Sequence, residues 1–223
     1  MLSPARRLLK IIHREGIPSP GTVFYNAISK TSLFQRNYEL IAKDILSYCS
    51  EGRILDIGTG PGWLLVKLHH ESPRLRLTGL DVSPSMVVRA RKNMAEAGLS
   101  EVIEVREGNA SHVPFSDNSF DTVVSTGSIH HWKNPTACLN KVYRVLKPGG
   151  FALMYDLVSD TPAAVLKETA YEFGRLRVLL FWLHSFEEPF YSSKDFELLA
   201  QPTLFKEGRP RFVGLMCCLI LKK

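Results

Sequence analysis

The 223-residue sequence has no apolar run approaching the roughly 20 residues that cross a bilayer, and no opening pattern of charge, apolar stretch and small-residue cleavage site. Neither a membrane-spanning nor an exported protein is expected, and the chain reads as cytoplasmic. Cysteine is scarce: Cys49, Cys138, Cys217 and Cys218 include no C-x-x-C pair, which argues against a disulfide framework and the usual zinc spacings. Buried free thiols are expected instead, with the adjacent Cys217 and Cys218 pointing to opposite faces of a strand. Low-complexity segments and internal repeats are lacking too, which excludes solenoid architectures. Clusters of one charge sign are also missing. The formal charge is +6, but the Lys and Arg residues are scattered, whereas nucleic-acid binding calls for a concentrated basic face.

What is present is an ordinary globular composition, 45% hydrophobic and 22% charged, in one domain long enough to bury a real core. Ser3-Pro4 opens an amphipathic, basic helical pattern that stops at Gly16. A Pro- and Gly-containing loop over 17–22 follows, then a helix over 33–48. From there apolar strands and helical patterns alternate: strand 53–57, a glycine-rich turn, a helix from Trp63, strand 75–80, helix 84–97, strands 102–105 and 122–125, helix 135–146 and strand 151–157. Such alternation implies an α/β fold with a largely parallel sheet and helices on both faces. Beyond Thr161 the pattern becomes a long aromatic-rich helix reaching about Leu183, a short helix over 193–200, and strands over 204–212 and 215–221 that are close enough to form an antiparallel hairpin.

The chemistry is concentrated in Asp56-Ile57-Gly58-Thr59-Gly60-Pro61-Gly62, which links the first strand to its helix. A glycine-rich turn there lets a ligand approach the backbone closely. The glycines alternate as G-x-G-x-G rather than in the dinucleotide pattern G-x-G-x-x-G, which weakens a nicotinamide oxidoreductase reading. Asp81 ends the second strand about 20 residues later, where a carboxylate can accept hydrogen bonds from both hydroxyls of a ribose. An adenosine-type ligand follows.

Five motifs occur in order: Ile54-Leu55-Asp56-Ile57-Gly58-Thr59-Gly60-Pro61-Gly62, Gly79-Leu80-Asp81-Val82-Ser83-Pro84-Ser85-Met86, Gly108-Asn109-Ala110, Phe120-Asp121-Thr122-Val123-Val124-Ser125 and Val145-Leu146-Lys147-Pro148-Gly149-Gly150. With them the sequence resembles the class I S-adenosylmethionine-dependent methyltransferases, in particular the group of quinone-biosynthesis and small-molecule enzymes. The resemblance covers 53–157 well and the rest in outline. It implies a doubly wound Rossmann-like sheet, mostly parallel with a C-terminal antiparallel hairpin, and S-adenosylmethionine as cofactor. It further implies that the 58–62 turn, with Gly58, Thr59, Gly60 and Gly62, holds the methionine portion and that Asp56 orients its amino group. Asp81 would bind the ribose, with Val82 and Met86 flanking the adenine. Asn109 stands where the family usually has an Asp that accepts from the adenine amino group; its amide oxygen can still accept, without charge. Ala110 and Thr126 complete the expected contacts. Tyr25, beside Phe24, falls where relatives fold an aromatic over the cofactor, and a ring face would stabilise the sulfonium; core packing of both is the alternative.

For the acceptor, the segment Ser125-Thr126-Gly127-Ser128-Ile129-His130-His131-Trp132 lies at the carboxyl end of the sheet and is similar to a Leu-His-His-Trp-like stretch of the family. His131 is the expected general base, because an imidazole titrates near neutrality; loop stabilisation by both histidines is the competing reading. No metal is expected, since no carboxylate or cysteine ligand lies at matching spacing. Tyr171, Phe173, Phe181, Trp182, Phe186, Phe190 and Tyr191, with Arg175 and Arg177 among them, fall where the family builds its acceptor lid and suit an aromatic or lipophilic acceptor. The run 178–183 equally suits a homodimer interface or a membrane surface. The expected division is a single methyltransferase domain, 1–223, with an N-terminal helical lid region (1–50), a cofactor-binding core (51–158), acceptor-lid helices (159–201) and a C-terminal hairpin (202–223). The expected activity is in-line methyl transfer to a small molecule. RNA or DNA as acceptor, or a non-catalytic binding protein on the same fold, are the alternatives.

Overall fold

A computed structural model describes residues 19–176, 178 and 191–223. The elements are α1 (Ser19–Ser29), α2 (Ser32–Tyr48), β1 (Gly52–Ile57), α3 (Trp63–Glu71), β2 (Leu75–Asp81), α4 (Pro84–Glu96), β3 (Ile103–Glu107), β4 (Phe120–Thr126), a 3-10 turn (Ile129–His131), α5 (Pro135–Val145), β5 (Leu146–Asp156), α6 (Ala163–Phe173), α7 (Ser193–Leu198), β6 (Arg209–Val213) and β7 (Met216–Lys222). The strands form one sheet in the order β3-β2-β1-β4-β5-β7-β6. The first five are parallel, while β7 runs antiparallel to both β5 and β6. The expected mixed, doubly wound sheet is therefore present.

The strands read as near-continuous apolar runs because both faces are covered. One face carries Ile54, Leu77, Val124 and Leu153 into a core with Ile41 and Ile45 of α2, Leu65 and Leu68 of α3, and Ala90 of α4. The other carries Leu55, Val123, Ala152 and Met154 into a core with Leu139 and Val142 of α5 and Phe196 of α7. Cys217 joins the second core and Cys218 the first, each a buried free thiol; the alternation of a strand separates them as expected. The strand order reverses between β1 and β4. The loops after these two strands, residues 58–62 and 127–132, therefore open a crevice at the carboxyl edge of the sheet, the ligand position in doubly wound folds.

Several boundaries differ from the expectation. The stretch expected as a loop over 17–22 already belongs to α1 from Ser19 onward: Pro20 sits in the first turn, where its missing N–H costs nothing. The chain over 200–207 is a series of turns, and β6 begins only at Arg209. There Leu204 N donates to Asn140 Oδ1 and Phe205 N to Thr203 Oγ1, so side chains take the hydrogen bonds a strand partner would supply. β5 starts at Leu146 rather than Phe151, because Gly149 N donates to Lys223 O and Lys223 N to Gly150 O. The long helix expected to reach Leu183 is interrupted: α6 ends at Phe173, capped by Gly174 at φ +90°. The basic helix over 3–16 and the aromatics Phe181, Trp182, Phe186 and Phe190 lie outside the described residues, as does the side chain of Phe24.

Candidate active site

The glycine turn is tied to β2. Gly58 N and Thr59 N both donate to Leu80 O, at 2.7 and 3.1 Å, and Gly60 N donates to Asp81 Oδ2 at 2.8 Å. The amides of 58–60 are thus engaged within the protein, and the glycines contribute space and backbone conformation. Gly58, Gly60 and Gly62 have φ of +78°, +52° and +79°, a region that excludes most side chains. A Cβ at Gly60 would lie 3.7 Å from Tyr25 Cε1, and one at Gly62 would lie 2.7 Å from Met94 Cε of α4. A Cβ at Gly58 would collide with Ser128 Oγ, so the loop after β4 presses directly on the loop after β1.

Beneath this turn Asp56 is 2% exposed and its Oδ1 has no hydrogen-bond partner. Burial pushes its carboxyl up to about 7, with the Thr59 hydroxyl opposing and the Asp81 charge adding to the rise. The hydroxyl of Thr126, at the end of β4, is likewise buried without a partner. Asp81 receives Gly60 N on one oxygen and Ser83 N on the other, at 2.8 and 2.9 Å; burial raises its pKa and these two amides restrain the rise. The phenol of Tyr25 is pushed up to about 12, chiefly by burial, against a hydrogen bond from Tyr38 and with the charges of Asp81, Asp156 and Asp56 adding to the rise. The charges of three carboxylates thus bear on one tyrosine, and among the described residues no lysine or arginine is buried with them. Asp56 Oδ1 and Thr126 Oγ1, buried without partners, call for a cationic, hydrogen-bonding ligand. S-adenosylmethionine, with a sulfonium, an ammonium and a ribose diol, fits that requirement.

The remaining expected contacts differ in burial. Val82 is half-buried, whereas Met86 and Ala110 are buried. Asn109 Oδ1 accepts from Ser111 N at 2.8 Å, the turn-capping role that Asn favours.

The histidine turn follows β4. His130, not His131, is the deeply buried member: its backbone N–H donates to Asp156 Oδ2 at 3.0 Å, and its Nδ1 lies 2.9 and 3.0 Å from the two Asp156 oxygens. Asp156 also accepts from Leu157 N at 2.8 Å. The His131 ring lies 3.9 Å, centroid to centroid, from that of His130 and is half-buried. Trp132 Nε1 donates to Ser128 Oγ at 3.1 Å and closes the turn.

Of the aromatics expected around the acceptor, Tyr171 is 96% exposed while Tyr191 is 4% exposed. The Tyr191 phenol is pushed well up by burial and by the nearby charges of Asp156 and Asp195. Asp156, Tyr38, Asn26 and Asn93 are site residues that the sequence reasoning missed. Asp156 could have been found as the last residue of β5, since ligands gather at strand carboxyl ends. Tyr38 and Asn93 stand in helical patterns that read only as amphipathic, and Asn26 falls between the expected loop and the helix from Leu33.

Comparison with known proteins agrees with this geometry. The methyltransferase-domain family matches residues 55–154. Over 162 residues the chain is 31% identical to the ubiquinone/menaquinone biosynthesis C-methyltransferase UbiE of Geotalea daltonii, covering 72% of this chain and 68% of that one. It is 34% identical over 114 residues to 2-methyl-6-phytyl-1,4-hydroquinone methyltransferase 2 of Oryza sativa, covering 51% of this chain and 32% of the relative. In fold it matches the crystal structure of a Methanococcus maripaludis protein proposed to be an S-adenosyl-L-methionine-dependent methyltransferase, with a TM-score of 0.73, 24% identity and 95% coverage of each chain. The chain belongs to the class I S-adenosylmethionine-dependent methyltransferases. It is an enzyme whose methyl donor is S-adenosylmethionine, and its sequence is similar to those of quinone-type C-methyltransferases.

Proposed function

We propose that the enzyme methylates a small lipophilic aromatic acceptor of the phenol or hydroquinone type, with His131 removing the acceptor proton. The observation that carries this reading is the contact between the two loops: Ser128, at the head of the histidine turn, packs on Gly58 of the cofactor turn. The bound cofactor supplies an electrophilic methyl on a sulfonium, so the protein's task is to position a nucleophile, exclude water and take a proton. In this reading Asp56, Thr59 and Thr126 bind the amino-acid end beside Gly58, Gly60 and Gly62. Asp81 accepts from the ribose hydroxyls, while Val82, Met86, Asn109 and Ala110 border the adenine and Tyr25 covers the turn. Asp156 grips His130 through its backbone N–H and Nδ1, and the His130 ring, tilted 47° against its neighbour, in turn steadies His131.

An aromatic acceptor is supported by the similarity to UbiE and to the hydroquinone methyltransferase and by Tyr191 buried beside Asp156. We divide the chain into a lid region (1–50), a cofactor core (51–158), acceptor-lid helices (159–201) and the C-terminal hairpin (202–223). Among the described residues no helix is long and apolar enough to cross a membrane. Four buried free thiols support a reducing, cytoplasmic setting. A homodimer through the region around Val178 is the oligomeric reading we retain.

Incubation with methyl-labelled S-adenosylmethionine and a panel containing a prenylated hydroquinone, a short-chain phenol and transfer RNA tests the proposal. Label should enter the hydroquinone. Label in the RNA alone, or in none of them, overturns the acceptor assignment.

A further inference from the structure

Helix α1, which carries Tyr25 over the cofactor turn, is docked in an unusual way. Its buried described side chains are Thr22, Asn26 and Ser29, all polar and spaced to lie on one face. Of its described aliphatics, Val23 is 61% exposed and Ile28, like Tyr25, is half-buried. Opposite them, the inward stripe of α4 runs Met86, Val87, Ala90, Asn93 and Met94, so one amide interrupts an otherwise apolar face. Asn93 is 1% exposed. Its Nδ2 donates to Asn26 Oδ1 at 3.1 Å and to Pro61 O, inside the glycine turn, at 2.8 Å. Asn26 Oδ1 also accepts from Trp63 Nε1, the first residue of α3, at 3.3 Å. One helical turn earlier, Thr22 Oγ1 and Ser85 Oγ are 2.8 Å apart.

We infer that Asn93 is a positioning residue for cofactor binding: through Asn26 and Pro61 it registers α1 against the glycine turn and so seats Tyr25 over the bound cofactor. The inference rests on the reading that the 58–62 turn and Asp81 hold the cofactor. The physical argument is the polarity of the seat. The fully buried side chains of α1 are polar, so its docking depends on hydrogen bonds that fix position and not on contact area alone. A buried amide with fixed partners defines a single register, which an apolar contact would not. Asn93 reaches both α1 and the turn, so helix docking and turn geometry are coupled in one side chain.

The test uses the whole chain and four variants: Asn93→Leu, Asn26→Ala, the double variant that combines these two, and Asp81→Ala. S-adenosylhomocysteine affinity is measured by calorimetry, and amide hydrogen exchange in α1 with and without that ligand. Both asparagine variants should bind about tenfold more weakly, the loss of roughly one hydrogen bond to a fixed partner. They should also lose the ligand-induced slowing of exchange in α1, with exchange in β1 and β4 unchanged. The double variant should be no worse than either single one. If Asp81→Ala loses binding but the asparagine variants bind and protect α1 as the parent does, the positioning role is overturned. If Asp81→Ala binds normally, the site assignment itself has failed. Should Asn93→Leu not fold, Asn26→Ala decides the matter, since it removes the other end of the same contact.

Discussion

The two halves of the active-site crevice are built differently. The cofactor half, from β1 through α4, is held by backbone: the turn amides bond to Leu80 and Asp81, and Asp81 is fixed by Gly60 and Ser83. The half we assign to the acceptor is held by a side chain from β5, with Asp156 gripping the histidine turn. Helix α6, which we assign to the acceptor lid, has no buried residue, although Arg36 of α2 reaches its Glu172 at 3.3 Å. A common cofactor needs one geometry, which short strand-to-helix turns supply, whereas an acceptor site that varies between relatives is better built on loosely docked elements.

The largest expected break in this comparison is His131→Ala. It should lower kcat by about 10²–10⁴-fold, the usual worth of a general base, while leaving the Kd for S-adenosylhomocysteine unchanged; a matching loss of cofactor affinity would merge the two halves into one. Next, Asp81→Ala should weaken cofactor binding by about 100-fold in calorimetry, as two hydrogen bonds to a charged group are lost.

A smaller effect sharpens the contrast through pH. Asp56 holds its proton more tightly in the folded protein than in the unfolded chain, because burial raises its pKa to about 7. The stability this gives the ligand-free enzyme is fully present below about pH 4 and is lost as pH rises through 7, a total on the order of 4 kcal/mol. Asp56→Asn should therefore flatten the fall of Tm between pH 5 and 8. The parent enzyme should bind cofactor roughly fivefold more tightly at pH 7.5 than at pH 6, as Asp56 ionises beside the ligand's ammonium, and the variant should lose that rise. The smallest effect belongs to Tyr171→Ser on the exposed face of α6, which should move the Tm by no more than about 2 °C. A larger shift would show that α6 is packed more firmly than its exposure indicates.

The same contrast explains what could be read in advance. Asp56, the three glycines and Asp81 lie within one strand-helix-strand unit, so a single crossover brings them together. The five-motif order led directly to the sheet and the cofactor. His130 and His131 could be placed at the crevice, since they follow β4, yet which one is buried depends on Asp156, 26 residues away from His130. Asn93 and Asn26 are 67 residues apart, and neither has a local signature. From Ser19 onward the stretch expected as a loop became part of α1, whose partners Ser85 and Asn93 belong to α4.

By itself the sequence determined the α/β alternation, the opposite burial of Cys217 and Cys218, the glycine turn with its two aspartates, and the family. All of these follow from periodicity or from contacts closed within a few residues. Only the tertiary structure decided that His130 is clamped while His131 is left half-exposed, that the charges of three carboxylates bear on Tyr25, and that an asparagine on α4 seats the helix above the turn. Those arrangements depend on side chains brought together by the crossovers of the sheet, and residue spacing along the chain carries no information about which distant partners will meet.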